Sequence, residues 1–339
     1  MKAGVLAGGM GKRLRPLTDV VPKPLVFVGG AVMIDHCMSA LRAVGISDVV
    51  VVVSPYTESA VRQHLAEEGI EVRFVRQDAP LGTGDAVSKL YPSNDDVLII
   101  SSDVTAEPRS LSALIEYHEK FRPVATILGI RIRDPRRYGA LLIEGERLKG
   151  IVEKPLFPVS NVINSGIYVI SEEGLKATKD LPTSPRGEKE ITDAFNLMVN
   201  QGKEVRVITD EGSWWHDVGD FVSLIRANEF YLERGAGASY VGFGEKRVTE
   251  EGGVIIGPSY APAGAKIRGS VGPYTSVDGG SIVERGASVD HSILMKGSRV
   301  FSGRRLSYSV LAPGAVASRD VFGSEDAPLL IPAGGNAAA

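Results

Sequence analysis

Short apolar runs without polar alternation recur through the first ~235 residues, at Ala3–Ala7, Asp48–Val53, Val72–Val75 and Val97–Ser101. A strand with one wet face alternates polar and apolar positions. These do not, so each reads as a strand covered on both faces in a mostly parallel sheet. Between them, apolar positions recur at helical steps. Ile34, Met38, Leu41 and Val44 do so before Gly45, which predicts a helix end there. Thr57 stands as N-cap of a helix through Val61 and Leu65 to Gly69. Leu111, Leu114 and Ile115 mark a helix over Pro108–Phe121. Further strand-like runs lie near Ala125–Ile130, Tyr138–Ile143, Leu148–Glu153 and Ile163–Ile170, with helices expected at Lys189–Gln201 and Asp220–Arg234. Alternating strands and helices of this kind define an α/β layered domain.

After about residue 250 the helical periodicity gives way to a six-residue period. Val271, Val277, Val283 and Val289 form one set, Leu294, Val300 and Leu306 another, then Val310 and Val316, with Ile255, Ala261 and Ile267 before them. Gly257, Gly264, Gly272, Gly286 and Gly314 lie between the apolar positions. An apolar residue at every sixth position predicts a β-helix, here of about four triangular coils. The resets between sets imply bulges or short loops. A loop-rich β domain with chance spacing is the competing reading. From Ser324 onward the chain ends in Pro-Ala-Gly-Gly-Asn-Ala-Ala-Ala and is expected to be a disordered tail.

Composition narrows the function classes. The 339 residues are 43% hydrophobic and 23% charged, the balance of a globular protein with room for two domains. A net charge of −3 offers no basic field for nucleic acid or an anionic membrane. Cys37 is the only cysteine, which excludes an internal disulfide and a cysteine-rich zinc site. No apolar run is long enough to span a bilayer, and the N-terminus turns glycine-rich where a signal peptide would need an apolar core, so a cytoplasmic protein is expected.

The segment Leu6-Ala7-Gly8-Gly9-Met10-Gly11-Lys12-Arg13-Leu14 directly follows the first strand. Such glycines let backbone amides approach phosphate oxygens, although a glycine-rich turn alone can be only a tight turn. The dinucleotide pattern fails because Leu14 stands where its third glycine belongs, and the P-loop pattern fails at Leu6 and Arg13. The cations sharpen the reading. Arg13, Arg15 and Lys23 follow the glycines on a stretch pinned by Pro16, Pro22 and Pro24, and suit a triphosphate with about four negative charges.

This segment, with Pro22-Lys23-Pro24-Leu25, resembles the signature of the sugar-1-phosphate nucleotidylyltransferases. Later segments match in the same order: Gln77 with Leu81-Gly82-Thr83, Ser102-Asp103-Val104, Tyr138-Gly139, Glu153-Lys154-Pro155, Asn164-Ser165-Gly166-Ile167-Tyr168, Glu190-Ile191-Thr192-Asp193 and Trp215-His216-Asp217-Val218-Gly219. The resemblance implies a Rossmann-like, mixed-sheet nucleotidyltransferase domain over residues 1–235. The hexapeptide stretch, residues 250–323, then resembles the short left-handed parallel β-helix of longer members, and residues 324–339 form the tail. It further implies that a sugar phosphate oxygen attacks the α-phosphorus of an NTP in line and pyrophosphate leaves, a reaction run by positioning and charge neutralisation.

By the same resemblance, Asp103 and Asp217 hold one Mg²⁺, Arg13 grips the β- and γ-phosphates, Lys23 neutralises the α-phosphate and Lys154 holds the sugar phosphate. Gly139, Glu153 and Asn164 match sugar-contacting positions. Gln77, Gly82 and Thr83 match the base side, with backbone of Leu6, Gly8, Gly9 and Gly11 along the nucleotide. Read without the resemblance, Asp103 serves equally as a helix cap and Asp217 as a turn residue. His216 is read as structural, and His36, His64 and His118 as helix-face residues.

Substrate choice stays divided. Ser102-Asp103-Val104 and Val159-Ser160-Asn161 resemble mannose-1-phosphate guanylyltransferases, the favoured reading. Leu81–Ala86 resembles uridylyltransferases, and Glu190–Asp193 with Trp214-Trp215 resembles the longer glucose-1-phosphate thymidylyltransferases. Two further readings are a non-catalytic NDP-sugar-binding regulatory subunit and an acyltransferase on the coils, where only His291 could serve as base. The coils are expected to join copies into a homo-oligomer.

Overall fold

The computed structural model describes residues 1–210 and 214–334 and divides into two compact units. One comprises Met1–Met10 with Ile34–Asp217; the other comprises Gly11–Met33 with the chain from Val218 onward.

The first unit is a mixed sheet of strands β1 (Lys2–Leu6), β2 (Val49–Val53), β3 (Arg73–Arg76), β4 (Val97–Ser101), β5 (Ala125–Arg131), β6 (Gly139–Glu144), β7 (Arg147–Glu153), β8 (Val162–Ile170) and β9 (Val205–Thr209). Their order across the sheet is β3-β2-β1-β4-β8-β5-β9-β7-β6. The first four are parallel, and β8 runs antiparallel to both its neighbours. All five valines of β2 are buried, the two-sided burial that the unalternating pattern predicts. Helices α1 (Met33–Ala43), α2 (Glu58–Glu67), α3 (Thr83–Ser88), α4 (Pro108–Phe121), α5 (Glu172–Ala177) and α6 (Ile191–Asn200) complete the layers. Thr57 precedes α2 as expected, yet its hydroxyl caps nothing: it accepts from Ser54 N at 3.1 Å.

The parallel strands deliver their chemistry to one edge. β1 runs into Gly8, β3 into Gln77 and β4 into Asp103, and the order reverses between β1 and β4. Open α/β sheets bind ligands at that reversal, beyond the carboxyl ends.

The second unit contains a small hairpin (Phe27–Val28 with Ala31–Val32), helix α7 (Phe221–Arg234) and a stack of coils built from three sheets of short strands. On one face, parallel register joins Val254 to Ser270, Ser270 to Ser288, Ser288 to Arg305 and Leu306 to Val321. The steps are therefore 16, 18, 17 and 15 residues, which is why the six-residue period resets. Val271, Val277, Val283, Val289, Leu294, Val300, Leu306 and Val310 all point inside the coils. One step of 17 (Val300 to Ala317) moves the last rung by a residue, so that Ala317 rather than Val316 is buried.

One expectation is corrected here. The stretch from Ser324 is not all tail: Leu329–Ile331 pairs in parallel with Ser309–Leu311, and Ile331 is buried. The apolar Leu329-Leu330-Ile331 triplet extends a coil face that the Pro and Gly around it obscured. Residues 335–339 lie outside the described residues. The compact units are drawn differently from the expected catalytic domain of residues 1–235. Helix α7 and the 11–33 limb group with the coils, and Asn228 shows why. It is fully buried; its Oδ1 accepts from Gly29 N (3.0 Å) and Ser276 Oγ (2.6 Å), and its Nδ2 donates to Tyr274 O (3.0 Å). One amide thus ties limb, helix and coil together.

Asn228→Leu keeps the bulk but strands those partners, at a cost of about 3 kcal/mol, whereas Ser276→Ala removes one bond and costs about 1 kcal/mol. Chemical unfolding of both variants measures this; equal costs would show that Asn228 is not the tie.

Candidate functional site

A short antiparallel ladder brings the backbones of Asp103 and Asp217 near each other. Val104–Ala106 pairs with Trp215–Asp217, and the register sets Asp217 opposite Val104, the residue after Asp103. Both aspartates are half-buried. The Trp215 indole donates to Ser165 O at 2.9 Å and its ring packs edge-on against Tyr138, which fixes the returning strand. Asp103 carries its charge inward as well: burial first, then Asp103, pushes the Cys37 thiol up to about 12, so Cys37 is an inert core residue. Among the described residues no cluster of three or more His, Cys, Asp or Glu could hold a metal. A pair of carboxylates, leaving most positions to phosphate oxygens and water, is the donor set that suits Mg²⁺.

The base side forms around Gln77. Leu6 O accepts from Ser102 N at 3.0 Å, tying the glycine turn to the Asp103 turn. A β-carbon on Gly8 would lie 3.4 Å from Gln77 Oε1 and one on Gly9 would meet nothing, so the turn leaves open space. Gly82 has φ +109°, and a β-carbon there would lie 2.5 Å from Lys189 O. Only glycine accepts both constraints. The Lys189 backbone clamps this loop, donating to Leu81 O (2.6 Å) and accepting from Gly84 N (2.8 Å). Thr83, expected on the nucleotide, accepts from Ile191 N at 3.2 Å with its hydroxyl, so that group serves the clamp.

The sugar-side residues are collected by register. β6 and β7 pair Gly139 with Glu153, and β8 pairs Ile163 with Ala140, bringing Asn164 alongside Gly139. A β-carbon on Gly139 would lie 2.8 Å from Glu153 Oε2; the missing side chain makes room for that carboxylate. Asn164 Oδ1 accepts from Gly166 N at 3.0 Å. Lys154 is exposed with φ +47°, its amide donating to Tyr138 O at 3.0 Å. Burial, then the charge of Glu190, raises the Glu153 carboxyl above its ordinary range against the opposing pull of Lys154. Glu190 itself is buried and takes two bonds from Arg186.

Arg13 and Lys23 belong to the second unit. The limb folds on itself: Thr18 Oγ1 donates to Gly11 O at 2.9 Å, and Leu14 and Leu17 are fully buried. The Arg13 guanidinium lies over Gly219, where any β-carbon would overlap Nη2. Lys23 is half-buried, with its Cβ beside Gly11. Gly219 and Asp85 are the site-related residues that sequence reading missed, although both lie within motifs already quoted. His118 is a buried core group bonded to Thr126 Oγ1 at 2.8 Å, as a helix-face reading implies. His291 is stacked between Tyr274 and Tyr308, with ring centroids 5.2 and 4.6 Å away, and pairs with Asp290.

A family model described as nucleotidyl transferase matches residues 2–234. The chain belongs to the nucleotidyl transferase family. Relatives of this nucleotidyl transferase include a glucose-1-phosphate thymidylyltransferase of Streptomyces griseus, 31% identical over 329 residues and covering 92% of each chain. A probable mannose-1-phosphate guanylyltransferase of Oryza sativa is 31% identical over 326 residues, covering 92% of this chain and 86% of that one. Among solved structures, a putative glucose-1-phosphate thymidylyltransferase from Bacillus anthracis matches with a TM-score of 0.64 at 30% identity, covering 70% of this chain and 98% of that one. The nucleotidyl transferase is thus an enzyme of the sugar-1-phosphate nucleotidylyltransferase group. Among its described residues no helix is long and apolar enough to cross a membrane.

The raised Glu153 carboxyl yields a stability prediction. Below the ordinary carboxyl range both folded and unfolded chains hold the proton and no penalty exists. As pH rises, the unfolded chain releases it first, so the folded state loses stability until Glu153 ionises. Glu153→Gln is therefore expected to raise Tm at pH 7 by the order of 2–4 °C. The gain should vanish below about pH 4. Melting both proteins across pH checks it; a lower Tm for the variant at pH 7 contradicts it.

Proposed function

We propose that this nucleotidyl transferase joins an NTP to a hexose 1-phosphate, giving NDP-sugar and pyrophosphate. The observation that supports the reading is the register of the Val104–Ala106 and Trp215–Asp217 ladder, which brings the backbone of Asp217 next to that of Asp103 at the sheet's switch point. A phosphate oxygen of the sugar attacks the α-phosphorus; that bond forms as the bond to the bridging oxygen breaks, and pyrophosphate leaves with the electron pair. Asp103 and Asp217 would hold Mg²⁺, which supplies charge neutralisation on the phosphates when bound. Arg13 binds the β- and γ-phosphates and stabilises leaving pyrophosphate, Lys23 neutralises the α-phosphate, and Lys154 positions the sugar phosphate. Glu153, Asn164 and Gly139 contact sugar hydroxyls. Gln77 and Gly82 read the base beside the backbone of Leu6 and Gly8, with Gly9, Gly11 and Thr83 shaping the nucleotide's bed.

The favoured substrates are GTP and mannose 1-phosphate, supported by Ser102-Asp103-Val104 and by the guanylyltransferase relative. The second reading, glucose 1-phosphate with dTTP or UTP, is supported by Leu81–Ala86 and the thymidylyltransferase relative. A non-catalytic regulatory role is disfavoured because Arg13, Lys23, Asp103, Lys154 and Asp217 are all present. The protein is proposed to work in the cytoplasm as a homo-oligomer joined through its coils, whose terminal strands offer open edges. Light scattering on the full chain tests the assembly, since a cut after α7 would expose Asn228.

Pyrophosphate release from five NTPs, crossed with glucose, mannose and N-acetylglucosamine 1-phosphates, tests the reaction and names the pair. Asp103→Asn and Asp217→Asn are each expected to lower turnover by the order of 100- to 1000-fold with the fold retained. Activity within threefold of wild type at saturating Mg²⁺ would remove both from the metal site. Lys154→Ala should raise KM for the sugar phosphate, and Arg13→Ala that for NTP while slowing the reverse reaction. Both variants shifting the same KM would overturn the two assignments.

A further inference from the structure

The amide of Gln77 is oriented by partners that can only accept. Its Nε2 donates to Gly82 O at 3.0 Å and to Asp85 Oδ2 at 2.9 Å, which uses both of its hydrogens. A carbonyl and a carboxylate have no proton to return, so the flipped amide would aim its own oxygen at two acceptors. Asp85 is buried, and Lys89 Nζ pairs with its other oxygen at 3.3 Å. Gln77 is buried as well, on a residue whose amide nitrogen is anchored to Val53 O at 2.8 Å. What remains is Oε1. It makes no hydrogen bond among the described residues and faces the space above Gly8, where even a methyl group would come within 3.4 Å.

A pocket wall that offers only an acceptor chooses between bases. Uracil, thymine and guanine carry a hydrogen on the ring nitrogen of their pairing edge. Cytosine and adenine present a bare nitrogen there, which would meet Oε1 lone pair to lone pair. Were Gln77 free to turn, its amide would serve either class equally, because its two ends differ only in donor and acceptor character.

We propose that Asp85 is a specificity-determining positioning residue: by fixing the Gln77 amide it makes the base pocket an acceptor, selecting nucleotides with a ring N–H over those without one. This rests on the reading of Gln77 as the base-side residue and gives that reading a chemical direction. Asp85 touches no substrate; it acts through Gln77.

The test compares UTP with CTP and GTP with ATP, pairs of equal ring size that differ in this edge. With the full-length enzyme and whichever sugar phosphate is accepted, wild type should favour the first of each accepted pair in kcat/KM. The preference should be on the order of 10- to 100-fold, the effect of one mispaired buried group. Asp85→Asn offers Nε2 a donor as readily as an acceptor, and the preference should fall by about tenfold or more, mostly through a gain for CTP or ATP. A purely structural role would instead lower all four nucleotides together and leave the ratios alone. Asp85→Ser serves as the second variant if Asp85→Asn fails to fold, and in a Gln77→Ala background neither should alter the ratios further. Ratios unchanged within twofold in a folded Asp85 variant overturn the inference, as does a wild type without preference. If no nucleotide yields pyrophosphate, the reaction itself is misread; equilibrium binding of the same four nucleotides then decides the Asp85 inference separately, by the same ratios.

Discussion

The returning strand Trp215–Asp217 is the constraint on which the site depends. The chain reaches Asp103 at the end of β4, then builds the whole second half of the sheet before Asp217 arrives. Three pairs of residues hold it there, in a ladder fixed on its far side by the Trp215 bond to Ser165 O and by the Tyr138 ring. A one-residue slip would turn Asp217 to the other face, because side chains alternate along a strand.

A second device governs the base side. The 184–190 segment runs from Ser184, whose hydroxyl bonds Glu190, to Lys189, whose backbone clamps Leu81–Gly84. Glu190, held by Arg186, sends its charge the other way, onto Glu153 and Asp193. One short strap therefore bonds the loop assigned to the base and reaches the carboxylate assigned to the sugar by its charge. Local charge and backbone geometry, rather than a shared pocket wall, connect the two ends of the first unit's site.

Much of this was legible in the sequence. The unalternating runs of β1, β2 and β4 gave strand positions to within a residue, because burial on both faces leaves an apolar signature without ambiguity of period; β3 was placed as closely, but as the edge strand it is half-buried to exposed rather than covered on both faces. The six-residue rungs from Ile267 to Val310 likewise named the inside of the coils, since each must fill the same narrow cross-section. Where the pattern failed, the cause was context. Leu329–Ile331 hides among Pro and Gly, and its strand exists only because Ser309–Leu311 lies beneath it. The 11–33 limb has no apolar period, and groups far along the chain hold it: Asn228 accepts from Gly29 N and the Tyr240 hydroxyl donates to Gly29 O. The roles of Asp85 and Gly219 depend on what Gln77 and Arg13 do in three dimensions, and no spacing rule encodes an amide's orientation.

The residues that break local rules are concentrated where chemistry is assigned. Lys154 holds a left-handed backbone that disfavours a lysine by about 1 kcal/mol. Glu153 is a carboxylate kept in partly buried surroundings with a like charge nearby, against its own proton affinity. Gln77 buries an amide with one end unbonded by protein. Each is unfavourable taken alone, and a sequence shaped only for stability would replace all three with residues that satisfy their surroundings. What the three share is that each departs from what its immediate surroundings favour: a lysine in a left-handed backbone, a carboxyl beside a like charge, and an amide oxygen with no hydrogen bond among the described residues.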